Sequence, residues 1–214
     1  MTDALVTNDD GIATAWMRSL GPDLRTLLDE VRALRRSTVR CVILRWDGAG
    51  GHDPEGVRGA HQSPEDFGAR LREALWEAEM VAVAVADGAI DARDLGLMLA
   101  CDLRIATPSS SFRIAEGEGL GFVPLLLDAL GRQCAVRLLL GDELSTADAL
   151  ATGLVAIETA PELVDARLDA LLSRRRLVDD SRALARALRA GVELPLGEAT
   201  ALATALGTAR PGMH

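Results

Sequence analysis

The side chains that could do chemistry in this sequence cluster in two glycine-rich segments and at one helix start. Residues 47–62 (DGAGGHDPEGVRGAHQ) place His52, Asp53, Glu55 and His61 among glycines, and residues 116–121 (EGEGLG) carry Glu116 and Glu118. Between them, Asp91-Ala92-Arg93-Asp94 precedes a stretch of helical periodicity. Carboxyl groups act as general acids and bases when a pocket positions them. Left exposed in a glycine-rich turn, they are ordinary solvated charges. The two histidines with Asp53 and Glu55 match no standard ligand spacing, so no metal is expected. The segment 117–121 follows no strand-to-helix unit of the dinucleotide-binding type, and neither a Gly-x-Ser-x-Gly elbow nor a P-loop occurs. All 23 basic residues are arginine, which excludes a Schiff-base lysine.

Positioning these groups requires an ordered scaffold, and the hydrophobic pattern supplies one. Residues 4–17 read as two alternating runs joined by Asn8-Asp9-Asp10-Gly11, a hairpin signal. Pro22 to Arg36 carries Leu24, Leu27, Leu28, Val31 and Leu34 on one helical face. Cys41-Val42-Ile43-Leu44 is a continuous apolar strand, as in a sheet covered on both faces. Ser63-Pro64-Glu65-Asp66 opens a helix with Phe67, Leu71, Leu75 and Ala78 as its buried stripe. The run from Val81 stops at Asp87-Gly88, a helix ends in Cys101-Asp102, and a strand follows from Leu103 to Thr107. A Leu-rich stretch spans 123–140, and a Ser-x-Ala-x-x-Ala helix from Ser145 ends in Gly153-Leu154-Val155. Beyond it, 161–176, 179–190 and 196–206 read as helices. Alternating strands and helices with short loops predict an α/β sheet with parallel strands. Val42, Leu44, Val83, Val85, Leu99 and Ile105 are expected to be buried.

The chain has 214 residues, is 49% hydrophobic and 26% charged, and carries a formal charge of −9. It is long enough to bury a core, and its acidity argues against nucleic acid as a partner. Cys41, Cys101 and Cys134 lie in apolar runs and read as buried reduced thiols of a cytoplasmic protein. No apolar stretch is long and charge-free enough to span a bilayer, and no signal-peptide pattern is read at the N-terminus. Trp16, Trp46 and Trp76 are isolated and read as packing residues rather than a stacking platform.

The order of elements from Val81 to Ile157, with Cys101-Asp102 closing a helix, Phe112 and Glu116 after the next strand, and Leu140-Gly141-Asp142 before the Ser145 helix, resembles the crotonase (enoyl-CoA hydratase/isomerase) superfamily. The resemblance implies an α/β crotonase-like β/α spiral over residues 1–157. It also implies a helical region over 158–214 that covers the acyl pocket and builds a trimer or hexamer. It implies an acyl-CoA thioester as substrate, with coenzyme A as part of that substrate and no tightly bound cofactor. The thioester oxygen, as it becomes an enolate, would be held by two backbone N–H groups. One falls on Val57, after Gly56. The other falls on Arg93, beside Ala92, in a helix start capped by Asp91. Donors fixed where charge develops, at a helix N-terminus, lower such a barrier strongly.

The same comparison marks departures. Ile90 to Asp94 contains no glycine, and the first catalytic acid of the hydratases falls on Gly96, expected to leave open room there. The second falls on Glu116, or on Glu118 if one residue is inserted before Gly121. Asp94 is the further candidate acid, and Arg93 a candidate anchor for a substrate carboxylate. Two functions follow from the resemblance. One is a divergent acyl-CoA enzyme, a lyase or isomerase. The other is a catalytically impaired accessory subunit assisting a partner enzyme that handles acyl-CoA or polyketides in secondary metabolism.

Overall fold

A computed structural model describes residues 5–8, 11–17, 24–47, 66–115, 120–173 and 181–193. Its frame is a six-stranded sheet built outward from one continuous apolar strand. That strand, β3 (Cys41–Trp46), is flanked in parallel by β2 (Ile12–Trp16) and β4 (Val81–Ala86). Beyond β4 lie β6 (Leu103–Ala106) and β9 (Ile157–Glu158), both parallel, while β1 (Val6–Thr7) pairs antiparallel with β2 across the expected hairpin. Parallel neighbours need crossovers, and helices supply them. They are α1 (Leu24–Ala33), α2 (Asp66–Ala78) and α3 (Ala92–Leu99).

Alternation of side chains sorts the core into two layers. Val42, Leu44 and Trp46 face α1, α2 and α3 in the larger cluster, with Ala82, Ala84 and Ala86 beside them. Cys41, Ile43, Val83, Val85 and Ile105 face the other way, onto Val164, Leu168 and Leu172 of α6 (Val164–Leu172). Because both faces are covered, these strands read as continuous apolar runs. All six residues expected to be buried are buried.

A second, three-stranded sheet joins β5 (Ala89–Ile90), β7 (Ser111–Arg113) and β8 (Glu143–Ser145). Strands of two or three residues carry too few positions for a periodic signal, which is why the sequence does not show them. After β7 come α4 (Val123–Leu139) and α5 (Thr146–Thr152). The helix α5 starts from a Ser145–Asp148 capping box and ends at Gly153 with φ 81°. The Leu-rich stretch is kinked: Gly131 inside α4 has φ 67° and ψ 170°. The last described helix, α7 (Ser181–Glu193), is tied to its own core. Arg182 donates to the carbonyls of Arg35 and Ser37, and Arg189 stacks on Trp76, 5.6 Å from the ring centre. The helix expected at 196–206 lies outside the described residues.

Two details differ from the sequence reading. Phe67 is half-buried, because it stands in the first turn of α2 at the rim of the core. Cys134 is also half-buried, whereas Cys41 and Cys101 are buried as expected.

Between α2 and α3 the backbones nearly touch. A Cβ added at Gly68 would lie 2.4 Å from the Gly96 carbonyl oxygen. Gly68→Ala must therefore push the helices apart, with an expected loss of about 1–3 kcal/mol of stability in urea unfolding.

Burial pushes the Cys41 thiol up to about 12 and the Cys101 thiol higher still. Thiols raised in the folded state stabilise it below their unfolded value near 9, and that stability is lost as pH rises toward the folded value. With no tyrosine and no lysine in the chain, cysteines are the only side chains with ordinary titration in that window. Stability is expected to fall by about 1.4 kcal/mol per pH unit per buried thiol above pH 9. In Cys41→Ala/Cys101→Ala the fall should largely vanish, as chemical unfolding at pH 9, 10 and 11 would show.

Candidate functional site

Strand direction brings the ends of β3, β4 and β6, and the start of α3, to one end of the sheet. Trp46 closes β3 level with Ala86 of β4, so the connection bearing Gly56 and Val57 departs at that end. The chain then passes from β4 through Asp87-Gly88 and β5 directly into Asp91 and α3. In the second sheet β7 runs parallel to β5, with Phe112 opposite Ile90. The chain after Arg113, which leads to Glu116 and Glu118, therefore leaves beside Asp91. Gly56, Val57, Glu116 and Glu118 themselves lie outside the described residues.

Asp91 caps α3 as its sequence position implies. Its backbone is extended, its side chain accepts from the Asp94 amide at 2.9 Å, and its carbonyl accepts from Leu95 at 2.8 Å. The amides of Ala92 and Arg93 point out of this first turn along the helix axis, where the helix dipole favours developing negative charge. Ala92 and Asp94 are buried and Arg93 is half-buried. The cap also sets a limit: the Asp91 carboxylate occupies the Asp94 amide and, as a negative charge, opposes a second anion at the same turn.

The turn that aims α3 is held by a polar hub absent from the sequence reading. Asp87 Oδ1 accepts from the hydroxyls of Thr107 at 2.7 Å and Ser109 at 2.8 Å, while the Asp87 amide donates to the Trp46 carbonyl at 2.9 Å. Ser110 donates to the Ala86 carbonyl, and Thr146 Oγ1 lies 2.8 Å from the carbonyls of both Thr107 and Ser110. Gly88, with φ 86°, makes the bend that a side chain would strain. The visible signal was the run Thr107-Pro108-Ser109-Ser110-Ser111 beside an Asp-Gly turn. Such residues bond backbone locally, and here they fasten three strand ends.

At the same end, the indole N–H of Trp46 is buried with no hydrogen-bond partner among the described residues.

Gly96 departs from the expectation of open room. A Cβ there would lie 3.0 Å from Phe122 Cδ1 and 3.4 Å from Cγ, so the Phe122 ring already fills the space. Phe122 is 2% exposed. It caps the start of α4, which brings an aromatic ring where the resemblance leads one to look for a carboxyl. Among the described residues no cluster of three or more metal-ligating side chains occurs, and no helix is long and apolar enough to cross a membrane. A charged cleft of about 260 Å³, lined by Arg72, Trp76, Asp102, Arg104 and Asp128 among others, lies at the opposite end of β4, where Asp102 Oδ2 accepts from the Ala82 amide.

Comparison with known proteins identifies the family and the fold. Residues 30–208 match the profile of the enoyl-CoA hydratase/isomerase family. No curated protein matches the chain in sequence. Among solved structures, the fold is similar to an enoyl-CoA hydratase of Mycobacterium smegmatis, with a TM-score of 0.79 and 22% identity over 96% of this chain and 90% of that one. It is also similar to a monofunctional enoyl-CoA isomerase of the same organism, with a TM-score of 0.72 and 24% identity over 93% and 99% of the two chains. A Pseudomonas aeruginosa protein matches with a TM-score of 0.72 and 25% identity over 94% and 98%. The architecture is therefore the crotonase-type α/β fold.

Removing the Asp91 cap should loosen the first turn of α3. Asp91→Ala is expected to lose about 1 kcal/mol of stability, and Asp91→Asn, which keeps the acceptor, to lose little. Amide hydrogen exchange at Ala92 to Leu95 should accelerate in the alanine variant alone.

Proposed function

The chain belongs to the enoyl-CoA hydratase/isomerase family, and on that premise we propose that it binds an acyl-CoA thioester at the first turn of α3 and stabilises the enolate formed from it. The observation that carries this reading is the Asp91-capped helix start, delivered by β4 and β5 to the end of the sheet where the loops after β3 and β7 also depart. The thioester carbonyl would face the Val57 amide and the 92–94 turn, where the amides of Ala92 and Arg93 are the donors because that of Asp94 is given to Asp91, with Gly56 and Ala92 allowing close approach. Loss of one such donor costs on the order of 3 kcal/mol of barrier lowering. Glu116 or Glu118 would move the proton at the α-carbon, with Asp94 as the further candidate acid. Arg93 at the helix mouth suits a substrate bearing a second carboxylate. Coenzyme A enters as part of the substrate.

A second reading has its own observation. With Phe122 packed where a side chain at 96 would project, and with two acidic residues already at the helix start, the fold also suits an accessory subunit that binds a thioester or a partner enzyme without turning substrate over. In either case we propose a cytoplasmic homo-oligomer, a trimer or hexamer. Support comes from Leu127, Val136 and Leu140 of the α4 region, which are 41%, 43% and 80% exposed. Light scattering at micromolar concentration would read the assembly directly.

Thermal unfolding with butyryl-CoA tests the site. A ligand at 100 times its Kd stabilises the native state by about 2.7 kcal/mol, so a clear rise in Tm is expected. For the enzyme reading, Glu116→Gln or Glu118→Gln should lower turnover by about 10²-fold or more while binding persists. Binding by the wild type without any turnover would favour the accessory subunit. No rise in Tm with any acyl-CoA would remove both thioester readings.

A further inference from the structure

We infer that the cleft at the other end of β4 is a second binding site, for a small zwitterion that carries a carboxylate, an ammonium and a short apolar group, as an aliphatic α-amino acid does. The cleft, of about 260 Å³, is lined by Arg72 and Trp76 of α2, Asp102 and Arg104 where α3 gives way to β6, Asp128 of α4 and Leu188 of α7, among others. The inference stands apart from the acyl-thioester reading, because the length of β4, roughly 20 Å, separates the two places.

The four charged groups of the cleft are not equally provided for. Arg72 and Asp128 serve each other, with Nη2 and Oδ2 3.2 Å apart, and Arg72 also lies over Trp76, 5.5 Å from the ring centre. Arg104 instead donates from Nε to the Leu154 carbonyl at 2.6 Å and from Nη1 to the Cys101 carbonyl at 2.9 Å. Both acceptors are neutral, and Nη2 makes no hydrogen bond among the described residues. Asp102 accepts from the Ala82 amide at 2.8 Å, again a neutral group. Among the described residues neither Arg104 nor Asp102 belongs to an ion pair. Protein crowds both: burial holds the Asp102 carboxyl above the usual carboxylate range and the Arg104 guanidinium below its own. A counter-charge in contact with each would oppose these effects. Asp102 keeps an exposed side, so a ligand can reach it. The Arg104 guanidinium is pinned by its two carbonyls, so it loses little freedom when a ligand arrives.

These charges select the ligand. A simple anion would meet Arg104 but stand beside Asp102 and Asp128. A simple cation would meet Asp102 but stand beside Arg72 and Arg104. A zwitterion avoids both conflicts, with its carboxylate on Arg104 and its ammonium on Asp102. The volume lies below the roughly 300–1,000 Å³ of sites for drug-sized ligands, so the ligand is small. Leu188, 44% exposed, offers apolar surface to an aliphatic group.

Calorimetric titration of the full chain with three probes of one shape tests this: L-leucine, 4-methylpentanoate, which lacks the ammonium, and 3-methylbutylamine, which lacks the carboxylate. Leucine is expected to bind saturably, and each singly charged probe at least about 10-fold more weakly, the usual scale for one lost hydrogen bond to a charged group. Asp102→Asn keeps an acceptor for the Ala82 amide and removes the charge. It should weaken leucine at least about 10-fold and leave 4-methylpentanoate bound as well as before, or better, a split that a merely structural role would not produce. The comparison of probes on the wild type stands even if the variant does not fold. Three results overturn the inference: no saturable binding of leucine, 4-methylpentanoate binding as tightly as leucine, or Asp102→Asn binding leucine like the wild type. A wild type that ignores leucine while Asp102→Asn changes its mass in light scattering also overturns it, and assigns the cleft to contact between copies of this chain.

Discussion

The near-contact of two helix backbones at Gly68 and Gly96 is the constraint on which the rest of this structure depends. It draws α2 onto α3 more closely than any side chain would permit. That closeness fixes where α3 begins relative to the strand ends, and so where its first amides point. It also leaves a hollow on the other flank of Gly96, which Phe122 fills. Packing at this density transmits small changes of volume directly into backbone shifts. A residue at the centre of the fold thus governs the shape of the surface at its end.

The site is organised by backbone more than by side chains. Strand direction brings the connections after β3, β5 and β7 to one edge. The Asp87 hub then locks the turn, with Thr107, Ser109, Ser110 and Thr146 satisfying polar groups that would otherwise be stranded between sheet and helix. Such a framework suits stabilisation of an enolate by fixed amides, because donors already in place need no rearrangement when charge develops. The capping carboxylate at Asp91 works in the opposite direction. The balance between the helix dipole and that charge is a feature by which this chain differs from a bare helix terminus.

Much of the fold was legible in the sequence because its signals were long and redundant. Six consecutive apolar residues at Val81–Ala86, the Leu24–Val31 stripe and the Ser-x-Ala-x-x-Ala pattern from Ser145 each left one local solution, and each formed. The cap at Asp91 was legible from the resemblance, by its place ahead of Cys101-Asp102. Three features were not. The small β5–β7–β8 sheet is built from segments too short to show periodicity. The Asp87 hub joins residues as distant in sequence as Trp46 with Asp87 and Thr107 with Thr146, so no window contains it. The meeting of Phe122 with Gly96 depends on how α4 enters the core, and a glycine in sequence does not reveal whether its missing side chain leaves a space or accommodates a neighbour.

The central claim is that an acyl thioester sits at the first turn of α3, and a crystal structure with a non-hydrolysable butyryl-CoA analogue tests it most directly. The account expects the carbonyl oxygen of the acyl group within about 3 Å of the amide nitrogen of Ala92 or Arg93. An analogue bound instead in the Arg72–Trp76–Arg104 cleft at the opposite end of β4, with the α3 amides uninvolved, would contradict it.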